Sequence, residues 1–297
     1  MLNWRAEDLW SATRELVDGL SIELLASTGS TNADALARLR AGDTRPCLIV
    51  AEGQTAGRGR LGRLWWSAPG DSLTFSLSMP LAPRDWGGLS LAVGLALAEA
   101  LDPVDDRVAG AGQPGCNGRI GLKWPNDLWL RDGERKLAGI LIETAAAPAG
   151  VAVVSPWPQG AGSATGEAPG RRHVVIGVGL NIAARRPDAA PLAAGEVPLF
   201  GSGYAGLQEL DARLDAPAAL ARVLPAMLRI LRQFEADGWA PLLARYAQRD
   251  LLRGREVSAG DRRGRVLGVD VYGGLLLASD ASGVQRVISG EVSVRPC

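Results

Sequence analysis

The segment Gly57-Arg58-Gly59-Arg60-Leu61-Gly62-Arg63-Leu64-Trp65, preceded by Cys47-Leu48-Ile49-Val50-Ala51 and followed by Trp66-Ser67-Ala68-Pro69-Gly70-Asp71, decides the kind of fold. Gly57, Gly59 and Gly62 satisfy the G-x-G-x-x-G spacing of dinucleotide-binding folds. That fingerprint needs a strand before it and an apolar helix after it, so that the helix N-terminus faces a pyrophosphate. Only the strand is present, at Cys47 to Ala51. Pro69 and Gly70 stop any helix after Trp65. A Walker-type loop fails too, because no Gly-Lys-Ser or Gly-Lys-Thr follows the glycines. What remains is a loop in which glycines let the backbone approach a ligand and arginines offer forked donors for carboxylate or phosphate oxygens.

Outward from this loop the pattern mixes α and β. Ser30-Thr31-Asn32 precedes apolar positions at helical spacing through Leu39, and Gly42 closes a short helix. Strands are expected at Leu73 to Ser78, Ile120 to Lys123, Leu128 to Leu130, Leu137 to Thr144 and Val174 to Val178, with Arg131 to Glu134 as a turn. Leu89 to Leu101 reads as a buried helix, too short to span a bilayer. Ala216 to Phe234 and Trp239 to Gln248 read as helices, with Pro225 as a kink or break in the first. The Gly, Ala and Pro content of 103–119 and 145–172 marks two surface insertions of low order, without chemistry. After Leu252 the texture becomes short β runs at Arg255 to Ser258, Arg265 to Val269, Gly274 to Ala278 and Val284 to Ile288. This spacing suggests a small barrel, with a boundary near Leu251 to Gly254.

Composition removes several function classes. Lys and Arg number 32 and so do Asp and Glu, so no global field draws in nucleic acid or an anionic membrane. Cys47, Cys116 and Cys297 are odd in number and unpatterned, which argues against disulfides and zinc and fits a reducing cytoplasm. Met1 to Val17 lacks the apolar stretch of a secretory signal. The only histidine, His173, lies beside Arg171 and Arg172 and is expected to be exposed; without a second histidine no Ser-His-Asp triad is supported.

Four further motifs carry chemistry. Lys123-Trp124-Pro125-Asn126-Asp127 places a cation and a carboxylate at one bend, suited to substrate oxygens or a magnesium ion, although it also reads as an ordinary turn. Lys136-Leu137-Ala138-Gly139-Ile140-Leu141 sends a second lysine into a half-buried strand, either toward an anion or as a snorkelling edge residue. Gly177-Val178-Gly179-Leu180-Asn181 ends a strand where a planar ring can lie, or bulges. Ser30, Thr31 and Asn32 cap a helix or face a polar ligand head.

Taken in chain order, from Ser30-Thr31-Asn32 to Gly177-Val178-Gly179-Leu180-Asn181, the five motifs resemble those of the bacterial biotin protein ligases. The resemblance runs from about Ser27 to Asn181, and the β runs after Leu252 are similar to that family's C-terminal SH3-like module. It implies an α+β fold: a mixed-sheet, class II synthetase-like catalytic domain at 1–250 followed by an SH3-like barrel at 251–297. It implies a ligase that activates biotin with ATP and Mg2+ to biotinyl-5′-AMP. The biotinyl group then passes to a lysine of a biotin carboxyl carrier protein of acetyl-CoA carboxylase or a related carboxylase. Carried over by position, Ser30, Thr31, Asn32 and Gln54 resemble the contacts to biotin's ureido head. Arg58, Gly59 and Arg60 resemble the loop over the biotin carboxylate and adenylate phosphate, and Lys136 the lysine at the reacting groups. Arg58, Arg60 and Lys136 thus stand as catalytic. Arg60, Arg63, Trp65, Lys123, Asp127 and Asn181 fall on the ATP and adenylate side, with no protein-only metal site and Mg2+ arriving with ATP near Asp127.

Two departures accompany the resemblance. About twenty-five residues precede the Ser-Thr-Asn motif, less than the DNA-binding domain of the repressor members, so no operator binding is expected. Leu61 stands where some members have another arginine. Monomer and homodimer both stay open. The rival readings are a lipoate-type carrier ligase of related fold, which should lack the arginine loop and the C-terminal barrel, and a non-catalytic biotin-binding regulator, which should have lost Lys136 or the glycines. The glycine content of the loop also suggests that it orders on binding ligand.

Overall fold

The computed structural model describes residues 2–104, 118–146, 154–158, 171–184, 203–279, 283–290 and 292–294. Twelve strands and five α-helices are found among them. The strands are β1 (Ser21–Thr28), β2 (Cys47–Gln54), β3 (Ser72–Leu81), β4 (Ile120–Lys123), β5 (Asp127–Leu130), β6 (Arg135–Ala145), β7 (Arg172–Asn181), β8 (Glu256–Ala259), β9 (Arg262–Val269), β10 (Leu275–Ser279), β11 (Gly283–Val287) and β12 (Val292–Val294). The helices are α1 (Ala6–Thr13), α2 (Thr31–Arg40), α3 (Leu89–Leu101), α4 (Ala216–Asp237) and α5 (Leu243–Arg249).

The first seven strands form one sheet in the order β1-β2-β3-β7-β6-β5-β4, with β1 and β2 parallel and every other pair antiparallel. This is the expected mixed-sheet α+β architecture. The middle strands are buried on both faces, and their two faces differ in character. On β3, Leu73, Phe75, Leu77, Met79 and Leu81 alternate with Ser72, Thr74, Ser76 and Ser78, and all are buried. Period-two alternation sends the apolar set to one face and the hydroxyls to the other. Helices α3 and α4 cover the apolar face, where α3 is buried along most of its length. Helix α4 runs unbroken through Pro225, so the kink or break expected there is absent as a break. Helix α2 packs on the other face, where Ala35 meets Ile49 and Val175. The strip of that second face beside α2, called the trough below, holds the candidate site on a floor of buried strand residues.

Strands β8 to β12 form a separate antiparallel sheet in the order β11-β10-β9-β8-β12. It meets the large sheet through specific bonds. The indole N–H of Trp124 donates to the Gly273 carbonyl and that of Trp239 to the Asp270 carbonyl, both at 3.0 Å. At the junction Asp250 bridges Leu122, and the Leu251 side chain lies where a Cβ on Gly121 would be, 2.4 Å from it. Gly121 is required for that approach.

Two further expectations change. His173 is fully buried, with neither ring nitrogen hydrogen-bonded among the described residues. It lies near the start of the central strand β7, directly between Pro80 of β3 and Ala145 of β6, and strand alternation turns it inward while its neighbour Arg172 stays exposed. Much of the two insertions, 105–117, 147–153 and 159–170, lies outside the described residues. Within the second, however, 154–158 packs on the core: Trp157 is buried and donates to Glu235 Oε2 at 2.6 Å, and the Pro156 carbonyl accepts from the Asp18 N–H at 2.8 Å. The apolar bulk of Trp157 outweighs the composition around it. Helix α1 and the edge strand β1 have no counterpart in the sequence reading, because their apolar faces are short and half exposed.

Candidate active site

The trough floor consists of cross-strand rows. Ser76 on β3 pairs with Gly177 on β7, which pairs with Leu141 on β6; in the next row but one, Thr74 pairs with Gly179, which pairs with Gly139. Two residues separate the rows, about 7 Å along the strand. In each row one side chain occupies the space a Cβ would take. An added Cβ on Gly177 would lie 2.2 Å from Asn32 Oδ1, and one on Gly179 would lie 2.2 Å from Trp65 Cε2. Glycine is needed at both because any side chain would expel what lies above it.

Over the first row sits a hydrogen-bonded polar cluster. Ser30, Thr31 and Asn32 are buried. Ser30 holds the N-cap position of α2, but its side chain makes no cap bond. Gln54 supplies the cap instead: its Oε1 accepts from the Thr31 backbone N–H at 2.8 Å and from the Thr31 hydroxyl at 3.2 Å. Because Gln54 uses its carbonyl oxygen here, its Nε2 is the end left to donate, and it lies beside Gly57 at the base of the arginine loop, 2.9 Å from where a Cβ on that glycine would be. Ser76 Oγ lies 2.7 Å from Thr31 Oγ1 and 2.5 Å from Asn32 Oδ1. The Asn32 amide nitrogen donates to Glu143 Oε2 at 2.8 Å.

Over the second row lies a charged and aromatic cluster. The Trp65 indole rests on the Gly139–Gly179 pair, with its Nε1 buried and without a hydrogen-bond partner among the described residues. Lys136 Nζ stands 5.9 Å from the ring centre and forms an ion pair with Asp127 Oδ1 at 2.8 Å; the two side chains are only 12% and 13% exposed. A β-bulge places the lysine there. Leu128 and Trp129 on β5 face Ala138 and Lys136 on β6, so Leu137 is the extra residue, and it turns into the core while Lys136 shifts onto the face of Gly139. Asn181 Nδ2 donates to the Lys136 carbonyl at 3.3 Å and fixes the strand start. The snorkelling edge reading of Lys136 is therefore excluded.

The arginine loop closes on itself as a small hairpin, with Gly59 N–H donating to the Arg63 carbonyl at 2.7 Å and Trp65 N–H to the Gly57 carbonyl at 2.9 Å. Arg60 reaches back from it to Asn126 Oδ1 at 3.0 Å and to the Gly290 carbonyl at 3.3 Å, linking the loop to the Pro-Asn-Asp bend and to the C-terminal sheet. Arg58 is exposed and Arg63 half-buried. Leu61 is the exposed tip, in the left-handed region at φ 57, a conformation that costs a non-glycine residue about 1–2 kcal/mol. Lys123 pairs across strands with Asp127 but lays its Nζ over the Trp129 ring, 4.2 Å from the centre.

Residues 25–155 match the Biotin/lipoate A/B protein ligase family. The chain is similar to the Bifunctional ligase/repressor BirA of Escherichia coli (strain K12), 34% identical over 94% of this chain and 75% of that protein. The chain belongs to this ligase family. A second member, the Biotin--[acetyl-CoA-carboxylase] ligase of Paracoccus denitrificans, is 31% identical over 91% of this chain and 98% of its own length. The fold of the ligase family extends to a solved structure, the biotin protein ligase from Aquifex aeolicus in complex with biotin and ATP, with TM-score 0.62 and 24% identity over 93% of this chain and 99% of that one.

Of the thirteen residues expected at a site, the fold gathers Ser30, Thr31, Asn32, Gln54, Trp65, Asp127, Lys136 and Asn181 in two clusters, whereas Arg58, Gly59, Arg60 and Arg63 stay on the hairpin loop and Lys123 turns to Trp129. Sequence reasoning missed Ser76, Glu143 and Asn126. For Ser76 the signal was available: hydroxyl residues at 72, 74, 76 and 78 alternating with large apolar ones mark a polar face on a buried strand. Among the described residues no group of three or more His, Cys, Asp or Glu side chains can hold a metal, and no helix is long and apolar enough to cross a membrane.

Proposed function

We propose that this protein activates biotin with ATP and transfers the biotinyl group to a lysine of a biotin carboxyl carrier protein. The observation that carries this reading is the pairing of the two clusters, hydrogen-bonding above Gly177 and cationic above Gly179, about two strand residues apart on one floor. A cyclic urea presents one carbonyl and two N–H groups. Gln54 Nε2 offers a donor to the first, and the Thr31 and Ser30 hydroxyls offer acceptors to the second. A valerate chain then leads the carboxylate toward Lys136.

In the first step a biotin carboxylate oxygen attacks the α-phosphorus of ATP, the bond to the β-phosphate oxygen breaks, and pyrophosphate leaves. Both reactants are anions, so the protein's task is to neutralise and align them. Lys136 supplies a fixed cation where carboxylate and phosphate meet, and Arg58 and Arg60 supply mobile ones from the loop. In the second step the neutral amine of the carrier lysine attacks the anhydride carbonyl, AMP leaves, and the amine loses its proton. No protein nucleophile is required. Mg2+ fits the residues only as a companion of ATP: Asp127 offers a single carboxylate, in keeping with an ion held mainly by phosphates and water. When bound it withdraws charge from the phosphate oxygens. Trp65 and Asn181 lie on the adenine side, and Arg63 and Lys123 serve the phosphates.

The five-stranded C-terminal sheet, from residue 251, is assigned as the family's SH3-like module, with 1–250 as the catalytic domain. Incubating the purified protein with biotin, ATP labelled at the α-phosphate and a biotin carrier domain tests the function. Labelled biotinyl-AMP and a biotinylated carrier are expected. Folded protein that yields neither refutes the assignment, and a preference for lipoate or octanoate replaces it with the related ligase.

A further inference from the structure

We propose that Glu143 is a positioning residue that sets the hydrogen-bond polarity of the head pocket through Asn32; the inference rests on the biotin reading of that pocket. Both polar atoms of the Asn32 amide already have partners inside the protein. Its nitrogen donates to Glu143 Oε2 at 2.8 Å and lies 3.5 Å from the Leu141 carbonyl, while its oxygen lies 2.5 Å from Ser76 Oγ. Asn32 therefore reaches the ligand through its neighbours.

An asparagine amide can sit either way round, and its two ends have opposite hydrogen-bonding character. An ionised carboxylate only accepts, so Glu143 holds the Asn32 nitrogen toward itself and the oxygen toward Ser76. Ser76 has one hydroxyl proton. With Asn32 Oδ1 able only to accept, that proton goes to Asn32, and Ser76 turns a lone pair toward Thr31 Oγ1, 2.7 Å away. The Thr31 proton then fills the 2.7 Å gap to Ser76, the 3.2 Å approach to Gln54 Oε1 is only the weaker, shared contact, and Gln54 is held by the Thr31 backbone N–H. The Thr31 oxygen is left to accept from a ligand N–H, while Gln54 stays locked with Nε2 outward to donate to a ligand carbonyl. The polarity of the chain from Glu143 through Asn32, Ser76 and Thr31 to Gln54 matches that of a cyclic urea. If Asn32 turned over, its nitrogen would face Ser76, Ser76 would donate toward Thr31 instead, and one of the two Thr31 lone pairs open to a urea N–H would be taken.

Glu143 stands on β6 opposite Val175, two residues beyond Leu141, which pairs with Gly177 beneath Asn32. It is thus at the far end of the trough from Lys136 and near no reacting atom. Its effect belongs in biotin binding and not in turnover.

The test varies biotin at saturating ATP and follows pyrophosphate release by wild type, E143Q, N32D and N32D/E143Q. Glu143→Gln keeps shape but gains a donor and frees Asn32 to turn; the expected result is a KM for biotin raised about tenfold with kcat within twofold. Asn32→Asp alone sets two carboxylates together and should be worse. The double variant reverses the pair: the new amide at position 143 donates to the new carboxylate at position 32, whose other oxygen still accepts from Ser76. Its KM should return to within about threefold of wild type. An unchanged KM in E143Q, a fall in kcat alone, or a double variant no better than N32D overturns the inference. Should E143Q fail to fold, the comparison of N32D with the double variant decides in the same way. Active wild type with an unmoved KM in E143Q sinks this proposal alone, whereas wild type without biotin-dependent pyrophosphate release sinks the functional reading beneath it.

Discussion

Replacing Lys136 with methionine separates what this lysine does for the fold from what it does for the reaction. Its ion pair with Asp127 spans 2.8 Å between side chains that are 12% and 13% exposed. At an effective dielectric of about 20, two unit charges at that distance attract by about 6 kcal/mol, and desolvation of both partners offsets most of it. Removing the lysine alone leaves the Asp127 carboxylate in a largely dry site, so K136M should lose about 3–5 kcal/mol of stability. Neutralising the partner as well, in D127N/K136M, should restore stability to within about 1 kcal/mol, because an uncharged amide carries little penalty there. Catalysis should follow a different pattern. Loss of a preorganised positive group at developing negative charge costs about 10²–10³ in rate, so adenylation should stay at least about 100-fold down in both variants. Urea unfolding and biotin-dependent pyrophosphate release measure the two effects on the same samples. If D127N/K136M recovers adenylation along with stability, or K136M adenylates within about threefold of wild type, Lys136 has no role in the reaction.

Gly179→Ala would put a methyl 2.2 Å from Trp65 Cε2, well inside the 3.4 Å at which ordinary contact begins, so the indole must retreat by about 1 Å or more at an overpacking cost of about 1–3 kcal/mol. The expected reading is a KM for ATP raised about fivefold or more, and an unchanged KM would remove Trp65 from the adenine side. Trp124→Phe deletes the 3.0 Å bond to the Gly273 carbonyl and leaves that group without its donor, for a loss of about 1–3 kcal/mol; equal urea midpoints would mean that the two sheets do not depend on this bond. Two buried groups oppose each other in acid. Burial raises the Asp250 carboxyl to about 6 and lowers His173 to about 4. The folded state thus prefers protonated Asp250, whose penalty builds as pH rises from about 4 to 6, and neutral His173, whose penalty builds as pH falls from about 6.5 to 4. Each amounts to about 3 kcal/mol. Acidification from pH 6.5 to 4 should therefore destabilise D250N by about 3 kcal/mol more than wild type and H173M by about 3 kcal/mol less, and parallel stability curves for all three proteins would refute the opposition.

The parts of the fold that could be read from sequence are those whose signal is local. Cys47 to Ala51, Leu73 to Ser78 and Leu89 to Leu101 declare themselves by length and apolar content, and Pro69 with Gly70 ruled out a Rossmann crossover without any structure. His173 was misplaced because its surroundings in sequence, two arginines and a Gly-rich stretch, say nothing about the strands that flank it in space. Trp157 is hidden inside a Gly-, Ala- and Pro-rich insertion for the same reason: its partner Glu235 is 78 residues away. At the site, the motif residues were legible because their chemistry is unusual for a core. Glu143 and Asn126 are ordinary residue types that only the fold gives work: the register of β6 and β7 brings Glu143 to Asn32, and the bend before β5 brings Asn126 to Arg60.

The geometry of the site depends as much on missing side chains as on charged ones. Gly139, Gly177 and Gly179 admit Trp65 and Asn32 onto the sheet, and the bulge at Leu137 brings Lys136 to the same face; without that extra residue, alternation would turn the lysine into the apolar core beneath α3. Arginines on a self-closing hairpin can reach an anion from several positions, which is why Arg60 is able to rest between Asn126 and the Gly290 carbonyl at the edge of the C-terminal sheet. The glycines and the bulge have no such freedom, since each clears or aims a single point. A chain that kept every arginine and lysine but lost one of these backbone features would keep its charge and lose its trough. On the proposed reading the arginine loop is the cover of the site, and its arginines have a target because the glycine floor admits Trp65 and Asn32.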